Sequence, residues 1–164
     1  MKVLNKQMTK TSKVSYFIIS IIFFIIFDIY FSNIMMSCVE TMPQNPIIDL
    51  IFIQNTGAAF NILENSKIFL ISFSAFAILA MIFYLIKNIT KASAFSIFWT
   101  SLLISGVFCN MYERIIYGYV RDFFKLNFID FPVFNISDIF INVSVVAIVI
   151  IIITNEINNR RTNR

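Results

Sequence analysis

Two aspartates in the second half of the chain, Asp122 and Asp138, are the side chains best suited to carry out chemistry. Two carboxyl groups held a few ångströms apart cannot both ionise, so one keeps its proton while the other activates a water molecule. Such a pair can hydrolyse a peptide bond by general acid–base catalysis. The chain has no histidine, which excludes a Ser-His-Asp triad, a Cys-His pair and a histidine-ligated metal site. The expected chemistry is therefore that of an acid pair acting without a metal or another cofactor.

The two aspartates lie sixteen residues apart with Pro132 between them, so spacing alone does not bring them together. The composition indicates that the chain lies in a membrane, so transmembrane helices must position the two aspartates. Of 164 residues, 59% are apolar and only 13% are charged, and the mean hydropathy is +0.82. A soluble domain carries about twice that charged fraction, so an ordinary cytosolic enzyme is nearly excluded. Since a spanning helix needs roughly 20 apolar residues, the length allows four or five spans at most.

Four apolar segments predict four transmembrane helices in a single membrane domain that covers residues 1–164. The spans are expected at about 15–34, 68–86, 92–112 and 138–154, with outer insertions at about 37–67 and 113–137. The first span begins like a secretory signal, but it is long and lacks a small-residue cleavage pattern, so we expect it to be retained. Within the first insertion, the run IIDLIFIQNTGAAF is typical of a short strand that enters a turn.

The distribution of charge predicts the orientation of the spans. Nine of the thirteen cations but only one of the nine acids, Glu156, fall on the side that holds both termini and the 87–91 connection. That side carries a net charge of +8 and the rest of the chain −4. The positive-inside rule then places both termini in the cytoplasm and both insertions outside. The basic pI of about 9.2 reflects this topology and is no indication of nucleic-acid binding.

This topology brings polar residues from several segments to one level near the outer face. Ionisable groups at membrane depth are costly and usually face the protein interior or a wet cavity. Their clustering therefore predicts a single site, whose candidates besides the two aspartates are Asp28, Asn55, Asn110, Arg114 and Asn135.

Three runs of residues carry a resemblance to a known family. They are Asn55 to Phe60 (NTGAAF), Gly106 to Asp122 with Asn110, Arg114 and Gly118 at fixed positions, and Phe134 to Asp138 (FNISD). Their order and spacing resemble those of the lipoprotein signal peptidase family, signal peptidase II, over about residues 15–155. All three glycines of the chain, Gly57, Gly106 and Gly118, fall on positions of the family pattern.

The resemblance implies an aspartyl endopeptidase of the bacterial inner membrane. Such an enzyme cuts a prolipoprotein just before a cysteine that already bears diacylglycerol, with the active site at the outer face. The fold that it implies is mainly α, with four transmembrane helices, a small extracytoplasmic β-cradle and an interfacial helix. The expected partners are the lipid-modified substrate and membrane lipids, and the chain is expected to act as a monomer.

By the same resemblance, Asp122 and Asp138 are the catalytic pair. Asp28 matches a first-helix aspartate with a supporting role. The other matched positions bind substrate or order the site, and they are Asn55, Gly57, Asn110, Arg114 and Asn135. We expect Arg114 to contact a lipid ester or a substrate carbonyl as a charged donor, and Asn135 to hold the Asp138 carboxylate through its side chain.

The chain departs from the family pattern at several positions. Ser32 stands where a lysine is usual, Ser105 and Cys109 stand where glycines precede Gly106 and Asn110, and Ser137 replaces an alanine. Glu113 stands where aspartate is usual. Since both candidate catalytic aspartates remain, these changes concern substrate fit and helix packing more than chemistry.

Each candidate also has a purely structural interpretation. Asp28 could reach the interface or pair with Arg114, and Arg114 could anchor a helix end at the headgroups. Asn55 and Gly57 could form an ordinary cap and turn, and each aspartate alone could be a loop or helix-cap carboxylate. The two cysteines, Cys38 and Cys109, could pack as small residues or form a disulfide.

Two other classes of protein remain open on the residues alone. A small ion-coupled transporter also uses intramembrane acids, but such folds show internal repeats and polar groups near the bilayer midplane. The second is an inactive membrane scaffold, which would lose nothing if Asp122 were changed to asparagine.

Overall fold

Four long helices and a two-stranded sheet make up the structure, a computed structural model that describes residues 8–41, 43, 45–58 and 62–162. The helices are α1 (Lys10–Cys38), α2 (Lys67–Asn88), α3 (Ala94–Ile116) and α4 (Ile136–Thr162), and the strands are β1 (Ile48–Asn55) and β2 (Val120–Leu126). Each helix overlaps one of the four apolar segments, and all four are long and apolar enough to cross a membrane. The expected fold class, a mainly α membrane protein with a small sheet, is confirmed.

Two features of the outer insertions differ from expectation. The segment after residue 112, expected as a loop, continues α3 to Ile116 and then forms strand β2. No fifth helix lies among the described residues, where 62–65 form turns, so an interfacial helix is not found there. Phe60, part of the NTGAAF run, lies outside the described residues.

Helix α3 is the centre of the bundle because it packs against α1, α2 and α4. Gly106 allows α3 to approach α4 closely, since a Cβ at this position would lie 2.7 Å from the backbone oxygen of Ser137 and 2.9 Å from Ile141. The buried apolar core joins α1, α2 and α3 through Phe17, Ile78 and Ile97. Large apolar side chains elsewhere on the helices are exposed, as expected of a surface that faces lipid.

The two ends of the helix bundle carry different elements. Lys13 in α1 donates through Nζ to the backbone oxygens of Thr90 and Ala92, at 2.9 and 2.6 Å. The described start of α1 and the α2–α3 connection therefore lie at the same end. The sheet lies at the opposite end, because β1 follows the end of α1 and β2 links the end of α3 to α4.

Strands β1 and β2 are antiparallel, with Asn55 opposite Val120 and Ile53 opposite Asp122. Between the pairs Leu50–Phe124 and Ile53–Asp122, β1 contains one residue more than β2, which is a β-bulge. Bulges bend a strand and redirect its side chains. Beyond the bulge, Asn55 and Asp122 are diagonal neighbours on the sheet, a separation that polar side chains can bridge.

Candidate active site

Asp122 lies in the middle of β2 and is almost fully buried, with 2% of its surface exposed. Its two carboxyl oxygens accept hydrogen bonds from side-chain amides, Oδ2 from Asn55 Nδ2 and Oδ1 from Asn135 Nδ2, both at 2.8 Å. Burial, followed by the nearby charge of Asp138, raises the pKa of Asp122 to about 7, although the two amide bonds oppose the rise. Asp122 is therefore a carboxyl group that can hold a proton near neutral pH.

Asp138 lies in the first turn of α4, and the start of that helix determines its orientation. The Asn135 side chain accepts the backbone N–H of Asp138 through Oδ1 at 2.9 Å, while Asp138 Oδ2 accepts the backbone N–H of Asn135 at 3.1 Å. This reciprocal pattern is a capping box. The remaining oxygen, Asp138 Oδ1, accepts from Asn110 Nδ2 on α3 at 2.9 Å.

The two carboxyl groups are connected through two asparagines. Asn135 Nδ2 donates both to Asp122 Oδ1 and, at 3.1 Å, to Asn110 Oδ1, and Asn110 in turn donates to Asp138. The prediction that the Asn135 side chain binds the Asp138 carboxylate is therefore wrong. The side-chain amide of Asn135 binds Asp122, and Asp138 receives the backbone N–H of Asn135 instead.

A return of the chain after β2 makes this arrangement possible. Phe134 pairs with Phe124 through two backbone hydrogen bonds, N–H to O at 2.9 and 3.1 Å, on the side of β2 away from β1. The loop through Pro132 thus folds back onto the strand. Since Asn135 follows Phe134 directly, the start of α4 is placed beside Asp122 although the two aspartates are sixteen positions apart in the sequence.

Arg114 reaches the site from the last turn of α3 and is 7% exposed, so it is not an anchor at the headgroups. Its Nη2 donates to the backbone oxygen of Gly57 at 2.6 Å and its Nη1 to that of Asn110 at 3.1 Å. The Nε group is buried and has no hydrogen-bond partner among the described residues. A buried donor without a partner is costly, and a bound ligand with an acceptor would relieve that cost.

Asn55 and Gly57 form the turn that follows β1. Asn55 Oδ1 accepts the backbone N–H of Gly57 at 2.9 Å, which is an Asx turn. This bond orients the Asn55 amide so that Nδ2 points to Asp122, and it presents the Gly57 carbonyl to Arg114. The turn expected at this position is present, and it also connects two groups of the site.

Asp28 is the one candidate that the structure places away from the other carboxyl groups. It is 3% exposed in α1, where it accepts the hydroxyl of Ser137 at 2.6 Å and interacts with the thiol of Cys109. It neither reaches an exposed interface nor pairs with Arg114. Because Ser137 directly precedes Asp138, Asp28 supports the start of α4 from behind the site.

A cavity of about 1010 Å³ opens onto the two carboxyl groups. Its polar part is lined by Asn55, Asn110, Arg114, Asp122 and Asp138. Its apolar part extends between α2 and α4, where it is lined by Leu70, Phe73, Ala77 and Ile141. The cavity therefore joins a polar centre to an apolar slot between two helices that have little contact with each other.

No role was predicted for Glu113 and Arg121, which form a largely buried ion pair at 2.6 Å behind β2. Two opposite charges on either side of Gly118, at the junction of a helix and a strand, are the signal that could have indicated it. The two cysteines are not bonded to each other, and Cys109 is buried whereas Cys38 is partly exposed. Among the described residues, no cluster of three acidic or cysteine side chains could hold a metal ion.

The fold and this site are those of a membrane enzyme with paired carboxyl groups, and comparison with known proteins identifies the family. The family model of signal peptidase (SPase) II matches residues 17–154. A lipoprotein signal peptidase of Streptococcus thermophilus is 40% identical over 106 residues, covering 65% of this chain and 69% of the relative. One of Clostridium tetani is 40% identical over 108 residues, covering 64% of this chain and 69% of the relative.

Solved structures agree with the sequence relatives. A structure described as a bacterial membrane enzyme, determined by the in meso method at 2.3 Å resolution, has a TM-score of 0.76 and 25% identity. The match covers 88% of this chain and 92% of that one. A second structure of the same description, at 1.9 Å, has a TM-score of 0.71 and 27% identity, with 85% and 93% of the two chains covered.

The chain belongs to the signal peptidase II family and is a peptidase. The resemblance stated from the sequence is confirmed, and the aspartic type expected of the enzyme is the class of that family. Membership of a peptidase family decides against the small transporter.

Proposed function

We propose that this chain removes signal peptides from lipid-modified bacterial prolipoproteins, with Asp122 and Asp138 as the catalytic pair. The observation that carries the proposal is that both carboxyl groups open into one cavity and are joined through Asn110 and Asn135. The relatives from Streptococcus thermophilus and Clostridium tetani are lipoprotein signal peptidases, which supports this substrate class.

The two carboxyl groups take different roles in the reaction. Asp122 holds the proton at rest, because burial and the charge of Asp138 raise its pKa to about 7. Asp138 acts as the base, since the first turn of a helix favours negative charge. Protons move between the two groups during the reaction, so their titration belongs to the pair.

Hydrolysis then proceeds in two steps. Asp138 takes a proton from a water molecule, whose oxygen bonds to the scissile carbonyl carbon while Asp122 donates its proton to the carbonyl oxygen. In the second step the C–N bond breaks, the leaving amine takes the proton from Asp138, and the gem-diol returns a proton to Asp122 as the new carboxyl group forms. Both aspartates end in their starting states.

Arg114 and the apolar slot bind the substrate. The unpaired Nε of Arg114 donates to a lipid ester or a peptide carbonyl. The slot between α2 and α4, lined by Leu70, Phe73 and Ile141, takes the acyl chains of the modified cysteine. Because enzyme and substrate are both held in the bilayer, the scissile bond is oriented before it reaches the acids.

The chain acts as a single membrane domain and as a monomer in the bacterial inner membrane, with both termini in the cytoplasm. The cations near the start of α1, the α2–α3 connection and the end of α4 lie at the end of the bundle opposite the sheet. The positive-inside rule then supports a sheet and active site at the outer face.

The proposal is tested with purified protein in detergent micelles and a diacylglyceryl-cysteine lipopeptide whose cleavage separates a fluorophore from a quencher. Asp138→Asn and Asp122→Asn should each abolish cleavage while the protein remains folded. Asp49→Asn, a substitution at a partly exposed aspartate on β1 outside the cavity, is the matched control and should cleave normally. Cleavage at the wild-type rate by either active-site variant would mean that the acid pair is not catalytic and would favour the inactive scaffold.

A second variant tests the binding role of Arg114. Arg114→Ala should mainly raise KM, because the side chain meets the substrate before and during the reaction alike. A loss confined to kcat would contradict a role in binding.

A further inference from the structure

In the ion pair behind β2, Glu113 binds both the side chain and the backbone of Arg121. Glu113 Oε1 accepts Arg121 Nε at 2.8 Å and Nη2 at 2.6 Å, while Glu113 Oε2 accepts the backbone N–H of Arg121 at 2.7 Å. Both oxygens of the carboxylate are thus used on Arg121. An arginine fork on a carboxylate has a defined geometry as well as a favourable energy.

The rest of the Arg121 guanidinium is held by two further groups. Nη1 donates to Asn33 Oδ1 on α1 at 3.1 Å, and the guanidinium carbon lies 4.7 Å from the centre of the Tyr117 ring. The side chains of Arg121 and Glu113 are only 12% and 9% exposed, so water screens their attraction little. Arg121 is therefore fixed to α1, to the end of α3 and to the turn that precedes β2.

The residue held in this way directly precedes Asp122. Successive side chains of a strand point to opposite faces, so Arg121 faces the helices while Asp122 faces the cavity. Neither Glu113 nor Arg121 lines the cavity. The contacts of Arg121 therefore act on the strand backbone at Asp122 and not on a bound substrate.

The short connection between α3 and β2 explains why the bonds from Glu113 to Arg121 are needed. Only residues 117–119 separate α3 from β2, and Gly118 adopts a φ of +91°, a conformation that other residues rarely adopt. A turn of this kind reverses the chain but does not by itself fix the direction of the strand that follows. The Glu113 carboxylate provides that direction, because it binds the backbone of β2 to the last turns of α3.

We propose that Glu113 and Arg121 are positioning residues that set the backbone of β2, and thereby hold the Asp122 carboxyl group at the cavity that it shares with Asp138. The inference rests on the proposed function, since it assumes that Asp122 is catalytic. It extends that function to two residues that touch neither substrate nor reacting atoms.

The test compares Arg121→Met, Glu113→Gln and the double variant in the fluorescent lipopeptide assay. Arg121→Met should lower kcat on the order of 10- to 100-fold, the range expected when a catalytic group is displaced by about 1 Å. KM should stay near the wild-type value, because Arg121 lies outside the cavity. The double variant should be no worse than the poorer single variant, since the two side chains act through one contact.

Arg160→Met is the matched control, because Arg160 pairs with Glu156 in an exposed ion pair at the far end of α4. It should leave both kcat and KM unchanged. Arg121→Lys keeps the charge but not the fork, and it should restore part of the kcat that Arg121→Met loses. If Arg121→Met does not fold, Arg121→Lys decides: a lowered kcat at unchanged KM supports the positioning role, and a wild-type kcat overturns it.

Two results would overturn the inference while leaving the proposed function intact. They are a folded Arg121→Met enzyme with wild-type kcat, and a loss that appears only in KM. If instead Asp122→Asn cleaves as fast as the wild type, the proposed function itself fails, and the inference fails with it.

Discussion

Replacing Asn135 should separate its role as a helix cap from its role as a partner of Asp122. The side chain accepts the backbone N–H of Asp138 through Oδ1 and donates through Nδ2 to Asp122 and Asn110. Asn135→Ala removes all three bonds. Asn135→Ser keeps a hydroxyl that can cap α4 but is too short to reach Asp122.

The expected magnitudes follow from these contacts. Loss of a cap costs about 1 kcal/mol, and loss of a hydrogen bond to a carboxylate costs about 1.5–3 kcal/mol. Asn135→Ala should therefore lower the free energy of unfolding by roughly 2.5–4 kcal/mol. Asn135→Ser should be about 1 kcal/mol more stable than Asn135→Ala, because serine is also a favoured cap.

The two variants should differ in stability but lose a similar amount of catalytic activity. Both variants leave Asp122 with the amide of Asn55 as its remaining side-chain partner, so both should lose kcat on the order of 10- to 100-fold. The assay measures cleavage of the lipopeptide alongside thermal unfolding in the same detergent. Asn88→Ser serves as the control, since the Asn88 side chain donates to the Tyr84 backbone oxygen of its own helix, at the far end of α2. A stable Asn135→Ser enzyme with wild-type kcat would refute the view that the amide holds Asp122 in place.

Three further predictions concern the surroundings of the site. The Asp122 carboxyl group has a pKa of about 7 in the folded protein, above its ordinary value of 3.8, so the unfolded state loses the proton first as pH rises. Stability should therefore fall between about pH 4 and pH 7, and Asp122→Asn should flatten this dependence in thermal unfolding. Gly106→Ala should destabilise the protein by about 1–3 kcal/mol, because the new methyl group would lie 2.7 Å from the Ser137 carbonyl oxygen, and unchanged unfolding would show that α4 moves away freely. Ser137→Ala should cost about 1.5–3 kcal/mol by removing the hydroxyl from the buried Asp28 carboxyl group, and the same thermal assay would detect it.

The helices could be predicted from the sequence, whereas strand β2 could not. Crossing a bilayer requires long uncharged segments, and such segments are visible without knowledge of their neighbours. Strand β2 contains Arg121, Asp122 and Lys125 beside aromatic residues, a pattern of charges that is typical of a loop. Its structure depends on pairing with β1 and on the return of Phe134, and both are long-range contacts.

The candidate residues of the site could also be named from the sequence, but their partners could not. Equal membrane depth and the family resemblance select Asp122, Asn135 and Asp138 together. Which oxygen accepts which donor depends on the cap of α4 and on the loop through Pro132, and neither is determined by depth. For this reason the sequence predicts that the Asn135 side chain binds the Asp138 carboxylate, whereas in the structure it binds that of Asp122.

The use of amides at the site explains how two acids can be held together without losing their function. A lysine or arginine bonded directly to a carboxylate would favour its ionised form strongly, and the pair could not share a proton. The amides of Asn55, Asn110 and Asn135 donate hydrogen bonds without adding charge, so they fix the carboxyl oxygens while burial still raises the pKa of Asp122. The full positive charge of Arg114 is kept on backbone oxygens, one of them that of Gly57, and influences the acids only at a distance. Replacing Asn110 by a cationic residue should therefore fix one acid in its charged form, with loss of activity even if the fold is retained.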